Sequence, residues 1–158
     1  MITVSRVQGV MIDRATSDPA AISRREAGLQ SEANHCFVCG PSNPIGLGVT
    51  FRLEEGVCRA EFTPRPEHMG YDKVTHGGIV FSLLDDVMAN WLWLQGEHGF
   101  TAKADIRYRN PLPVATPVRL EGRCVKRKGR LAQMEGRVLG ADDERLYAEA
   151  TMSFMIDS

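Results

Sequence analysis

The sequence predicts an α+β domain in which one antiparallel sheet wraps a single long helix. Three observations carry this reading. An apolar run from Ile79 to Leu94 follows a Gly77-Gly78 start and stops at Gly96, which marks a helix from Gly77 to about Gln95. Alternating apolar and polar residues on both sides of that run mark strands. Every strand is bounded by short Gly, Pro, Asn or Asp turns rather than by further helices, so the sheet is antiparallel.

In chain order, residues 1–17 show no sustained period. Asp18-Pro19 supplies an N-cap and an N1 proline for a short surface helix over residues 20–33, with a mobile arm as the alternative for this stretch. Residues 34–47 are rich in Gly, Pro and Asn and read as a loop. Val49, Phe51 and Leu53 alternate, Glu54-Glu55-Gly56 turns, and Cys58, Ala60 and Phe62 alternate again, giving a hairpin. A loop over residues 63–75 leads into the helix. Beyond it, Phe100, Ala102, Ala104, Ile106 and Tyr108 alternate with Thr101, Lys103, Asp105 and Arg107. Further strands run from Val118 to about Lys126, from Ala132 to Val138 and from Leu146 to Ile156. The expected domain plan is an N-terminal extension over residues 1–33 and one α+β domain over 34–158.

The chain has 158 residues, 43% of them hydrophobic, and a net charge of -1. One domain fits this length, and the apolar fraction is that of a globular protein rather than a disordered one. A near-neutral balance argues against a nucleic-acid partner. No apolar stretch is long enough to span a bilayer, so no membrane partner is expected. No signal peptide is recognised either, and the four cysteines are too few for a disulfide scaffold, so a cytoplasmic location is expected.

The helix is apolar on almost every face, yet one curved sheet can cover only part of it. The remaining surface calls for a second copy of the chain. Asp85 and Asp86 interrupt this apolar helix about 100° apart, so at most one of them shares any single face. A buried ionised carboxylate is costly unless paired or used, which makes Asp85 a candidate general base or nucleophile. The helix starts at His76-Gly77-Gly78, where free N–H groups and the absence of a Cβ suit a carbonyl oxygen gaining negative charge. Asp85 lies eight residues beyond Gly77, about 12 Å along the axis. One helix cannot bring both to the same carbonyl, so the expected site combines Gly77 of one copy with Asp85 of another.

Residues 68–88, from His68-Met69-Gly70-Tyr71 through His76-Gly77-Gly78 to Asp85-Asp86-Val87-Met88, resemble the signature of hotdog-fold acyl-CoA thioesterases of the phenylacetate-pathway (PaaI-like) branch. Cys36-Phe37-Val38-Cys39-Gly40 with Asn43-Pro44-Ile45-Gly46-Leu47 resembles an N-terminal element of some members. The resemblance covers about residues 34–156. It implies a hotdog fold, dimerisation through a continuous sheet, a homodimer or dimer of dimers, and an acyl-CoA substrate. By position, the Gly77 amide would polarise the thioester carbonyl. Asp85 of the partner copy would activate water or attack, and His76 would orient the thioester or shape the helix entrance. Where some members carry asparagine six residues before the histidine, this chain has Gly70, and His68 is the candidate for that role.

Between Arg119 and Arg137, seven basic residues accompany only Glu121 and Glu135. For a coenzyme A substrate, Arg127, Lys128 and Arg130 are candidates to meet the phosphates. Gly78, Phe81 and Met88, with Trp91 and Trp93, are candidates to line the acyl pocket. Cys36-x-x-Cys39 has zinc-knuckle spacing, but no second ligand pair follows in the sequence, so no metal and no cofactor are expected. The leading reading is an acyl-CoA thioesterase. The alternatives are a hotdog dehydratase or hydratase and a non-catalytic acyl-CoA binding or sensing module.

Overall fold

The structure, a computed structural model, describes residues 32–157. The helix expected over residues 20–33 lies outside this range except for Glu32 and Ala33, which are helical. Six strands form one sheet: β1 (Arg52–Glu54), β2 (Val57–Phe62), β3 (Gly99–Tyr108), β4 (Val118–Lys128), β5 (Leu131–Gly140) and β6 (Leu146–Ile156). Their spatial order is β1-β2-β4-β5-β6-β3, and every neighbouring pair is antiparallel. Among the described residues one long helix, α1 (Gly77–Trp93), lies against one face. This is the architecture that the periodicity predicts, with the first strand shorter than expected. Glu55 and Gly56 both take positive φ, which lets a two-residue turn close the β1–β2 hairpin at Glu54 and Val57.

The helix buries Val80, Leu83, Leu84, Val87, Met88 and Leu92. They meet the inward residues of the sheet, among them Leu120, Met134, Val138, Ala148, Met152 and Phe154. Contact is close at Gly122 on β4, where a Cβ would stand 2.7 Å from the Val87 carbonyl oxygen. Gly122→Ala must therefore push strand and helix backbones apart. Its expected cost is about 1–3 kcal/mol, read as a lower denaturant midpoint at unchanged slope. The helix stripe of Ser82, Asp85, Ala89 and Trp93 stays half-exposed, so a single sheet does cover only part of it.

β3 departs from the simple alternation. It is an edge strand, exposed on both faces over most of its length, with Phe100 at 68% and Tyr108 at 53% exposure. Its pairing with β6 shifts between Thr101 and Lys103, so Ala102 is the extra residue of a bulge. Residues directly opposite in a ladder share a face. Thr101, opposite buried Phe154, therefore points to the helix side along with Ala104, Ile106 and Tyr108. The sequence expectation had Thr101 facing away. A second shift, between Val138 and Leu139, similarly buries Tyr147 at 6% exposure.

On the solvent face, Arg59, Glu121, Arg137, Glu149 and Arg107 stand side by side across β2, β4, β5, β6 and β3. The charges alternate in sign at every step. Ion pairs Arg59–Glu121 (3.5 Å) and Arg123–Glu135 (2.9 Å) are part of this surface.

Candidate active site

The start of α1 is built by its own sequence. His76 takes an extended backbone (φ -60°, ψ 134°) and caps the helix, its Nδ1 accepting the Gly78 N–H at 2.9 Å. Ile79 and Val80 donate to the His76 carbonyl, His76 donates to the His68 carbonyl, and Thr75 donates to Leu112. Among the described residues, the Gly77 N–H has no acceptor. It sits at the positive end of the helix and opens on a cavity of about 330 Å³ lined by Tyr71, Thr75, Val80, Tyr108 and Tyr147. The Tyr108 hydroxyl donates to the Gly77 carbonyl at 2.9 Å, fixing the first turn against the end of β3. The Thr75 hydroxyl, buried in the wall of the same cavity, has no hydrogen-bond partner among the described residues.

Asp85 is half-buried two turns along the helix. Its carboxylate accepts the Thr101 hydroxyl at 2.5 Å. Burial holds its pKa above the ordinary 3.8, and the Thr101 hydrogen bond partly offsets that rise. A desolvated carboxylate with a raised pKa is a stronger base than one in water. Asp85 is absent from the wall of the Gly77 cavity, as the 12 Å separation expected within one helix requires. Asp86, about 100° further round the helix, faces the loop that carries Cys36. It accepts from Asn90 Nδ2 at 3.0 Å and from the Cys36 thiol at 3.7 Å, and burial raises its pKa as well.

A family model of the thioesterase superfamily matches residues 72–147, a span that contains the helix start, Asp85, strands β3 to β5 and the first two residues of β6. The fold is the hotdog fold, and over these residues the chain is similar to the thioesterase superfamily. The chain is 30% identical over 95 residues to acyl-coenzyme A thioesterase THEM4 of Xenopus laevis, covering 60% of this chain and 42% of that protein. It thus spans about two fifths of the length of the curated relatives it matches. The E. coli PaaI protein of the phenylacetic acid degradation operon superposes with a TM-score of 0.72 at 15% identity, covering 86% of this chain and 98% of that one. A hypothetical thioesterase from Streptococcus pneumoniae, solved with coenzyme A, superposes with a TM-score of 0.65 at 18% identity, covering 70% of this chain and 89% of that one.

The other candidate residues of the hotdog domain fall in different places. His68 is neither an exposed loop histidine nor a group aimed at the Gly77 cavity. It is 6% exposed, stacks on Phe62 and accepts the Arg65 N–H at 3.0 Å through Nδ1. Gly70 packs against His76, where a Cβ would lie 3.1 Å from the His76 Cα, so a longer side chain is crowded there. The Gly78 N–H is spent on His76. Phe81 is half-buried against the core, whereas Met88 is fully buried beneath Gly136 and belongs to the core itself. Trp91 donates to the Gly56 carbonyl at 2.8 Å, and Trp93 stacks on His98.

The basic cluster is largely compensated within the hotdog domain. Arg127 makes a two-pronged ion pair with Glu97 at 2.7 and 2.8 Å. Arg130 Nε donates to the Ile156 carbonyl, and Arg119 is paired with Glu121 and Glu144. Lys128 is exposed near the β4–β5 turn. A shallow concavity of about 450 Å³ over Arg107, Arg137 and Glu149 lies on the solvent face of the sheet, away from both Gly77 and Asp85. Among the described residues no helix is long and apolar enough to cross a membrane. Sequence reasoning missed Thr101, Tyr108 and Thr75 as site residues. Thr101 had no readable signal, since only the bulge at Ala102 turns it toward Asp85.

Proposed function

We propose that the chain hydrolyses the thioester of an acyl- or aryl-acyl-coenzyme A, using Gly77 of one copy and Asp85 of a partner copy. The observation that carries this is the pairing of an open helix-start N–H with a desolvated carboxylate that its own helix holds too far away to use. The Asp85 carboxylate takes a proton from water as the oxygen attacks the carbonyl carbon, or it attacks that carbon itself. The Gly77 N–H donates to the oxygen that becomes negative. Collapse breaks the carbon–sulfur bond, and the departing thiolate takes up a proton; if Asp85 was the nucleophile, water then cleaves the mixed anhydride, releasing the acid and restoring the carboxylate. Lys128, exposed at its turn, is the basic side chain proposed to meet a coenzyme A phosphate. Arg127 and Arg130 reach it only by leaving Glu97 and the Ile156 carbonyl.

The geometry of β3 supports a site made by two copies. One end of the strand holds Asp85 through Thr101, and the other end holds Gly77 through Tyr108. Antiparallel pairing of two β3 edges about their middles lays the Thr101 end of one copy beside the Tyr108 end of the other. That arrangement continues the sheet, covers the exposed Phe100 and Tyr108, and brings each Asp85 toward the partner's helix start.

The direct test is free-thiol release from short, medium, long and aromatic acyl-CoA esters. Turnover of any ester, lost in Asp85→Asn, supports the proposal. Saturable binding without turnover would replace it with an acyl-CoA sensing module, and neither would overturn it. Thr101→Val refines the role of the carboxylate. Without the hydroxyl, nothing offsets the burial, so the Asp85 pKa rises further. The acid limb of the rate–pH profile should move to higher pH, with a smaller loss at high pH than Asp85→Asn causes.

A further inference from the structure

We propose that Cys36, Cys39 and Asp86 bind a divalent cation of the zinc class that ties the loop over residues 34–49 to α1. Their ligand atoms already lie within 4.8 Å of one another. The Cys36 Sγ to Asp86 Oδ1 distance is 3.7 Å. Two ligands at ordinary zinc–sulfur and zinc–oxygen lengths on a tetrahedron stand about 3.5 Å apart, so this edge needs almost no adjustment.

The turn itself is shaped for a metal-bound thiolate. The backbone N–H groups of Val38 and Cys39 both point at Cys36 Sγ, at 3.4 and 3.5 Å. Two donors on one sulfur favour its negative form. Gly40 closes the turn by donating to the Cys36 carbonyl, and a Cβ there would stand 2.4 Å from the Cys36 nitrogen. The tight turn therefore depends on a residue with no side chain.

Asp86 supplies the independent observation. It is a largely buried carboxylate with no cationic side chain within ion-pair distance among the described residues. Its neighbours are Asn90, whose amide also lies 3.9 Å from Cys39 Sγ, and the two thiols. A cation would provide the missing positive charge. The sequence offers only two ligands at this spacing, and the fold adds the third from the helix fifty residues away. The fourth position would open to an adjoining cavity of about 180 Å³ lined by Trp93, His98 and Phe100, where water can complete the shell. On binding, the thiol protons pass to the solvent and two sulfur–metal bonds replace them. Asp86 would then be held in place beside Asp85, so the metal would set the rotation of the helix that presents the proposed base.

The test is metal content and cobalt spectroscopy of the reduced, full-length chain. The expected result is about one zinc per chain, and on cobalt exchange the thiolate-to-cobalt band and strong visible absorption of a tetrahedral site. Cys39→Ser should lose most of the metal and the band, and Cys124→Ser should keep both. If Cys39→Ser does not fold, chelator-stripped wild-type chain refilled with cobalt under reducing conditions gives the same readout. Reduced wild-type chain that neither carries zinc nor develops the band would overturn the proposal. So would a Cys36–Cys39 disulfide as the sole modification of the pair, with no metal taken up after reduction, or a band that survives Cys39→Ser.

Discussion

Asp85→Asn is expected to lower thioester hydrolysis by about two to four orders of magnitude, the usual contribution of a positioned acid–base group. Asparagine keeps an oxygen for the Thr101 hydroxyl and nearly the same volume, so the helix and the cavity should survive. Binding of a non-hydrolysable coenzyme A analogue should be retained. Stability should move the other way. Because burial raises the Asp85 pKa above 3.8, the folded state binds this proton more tightly than the unfolded chain does. The resulting stabilisation is complete below 3.8 and is lost as pH rises through the folded-state value. At neutral pH the wild-type chain carries a desolvated charge that asparagine lacks. Asp85→Asn should therefore have a higher Tm at pH 7, with the advantage shrinking as the pH is lowered through that window. A variant with full activity would remove Asp85 from the mechanism, and one with a lower Tm at pH 7 would contradict the desolvation argument.

Gly77→Pro and Asp85→Asn chains, each nearly inactive alone, should regain activity when mixed. Proline suits the first position of a helix, and His76 at φ -60° and ψ 134° already has the conformation preferred before proline. A Cβ at Gly77 would meet the Tyr108 ring at 3.5 Å, an ordinary contact. The substitution thus removes the open N–H and little else, for an expected loss of about a hundred- to a thousandfold. If each site takes Gly77 from one copy and Asp85 from the other, a mixed dimer has one intact site and one doubly damaged site. Random mixing of equal amounts should restore about a quarter of wild-type activity. Confirmed mixed dimers that stay inactive would place both residues of a site in one chain, against the separation along α1.

Most of the architecture was legible from local signals. The helix bounds, the hairpin turn and the inward residues of β6 all follow from period and punctuation, because tertiary contacts there reinforce the local preference. The site was legible in part. Gly77 and Asp85 stood out because a helix start and an acid in an apolar run are one-dimensional features. Thr101 did not, because a bulge changes which face a residue shares without changing composition. His68 read as the candidate for the role of the missing asparagine, yet the loop folds back and stacks it on Phe62. The basic cluster read as uncompensated because Glu97 and Glu144, which pair with Arg127 and Arg119, lie outside the sequence window that was counted. Asp86 and the two cysteines are fifty and forty-seven residues apart, and only the packed loop brings them together.

The row of alternating charges across the solvent face also limits which sheets this chain can form. A slip of two residues keeps every apolar side chain facing the helix, so burial alone hardly opposes it. The charges do. Sliding β4 against β5 by two residues one way sets Glu121 against Glu135 and Arg119 against Arg137, and the other way sets Arg123 against Arg137. Sliding β5 against β6 in one direction sets Glu135 against Glu149. Like charges directly opposite one another repel. The ladder therefore works as a proofreading code during assembly, rejecting misaligned strands that the apolar core would accept.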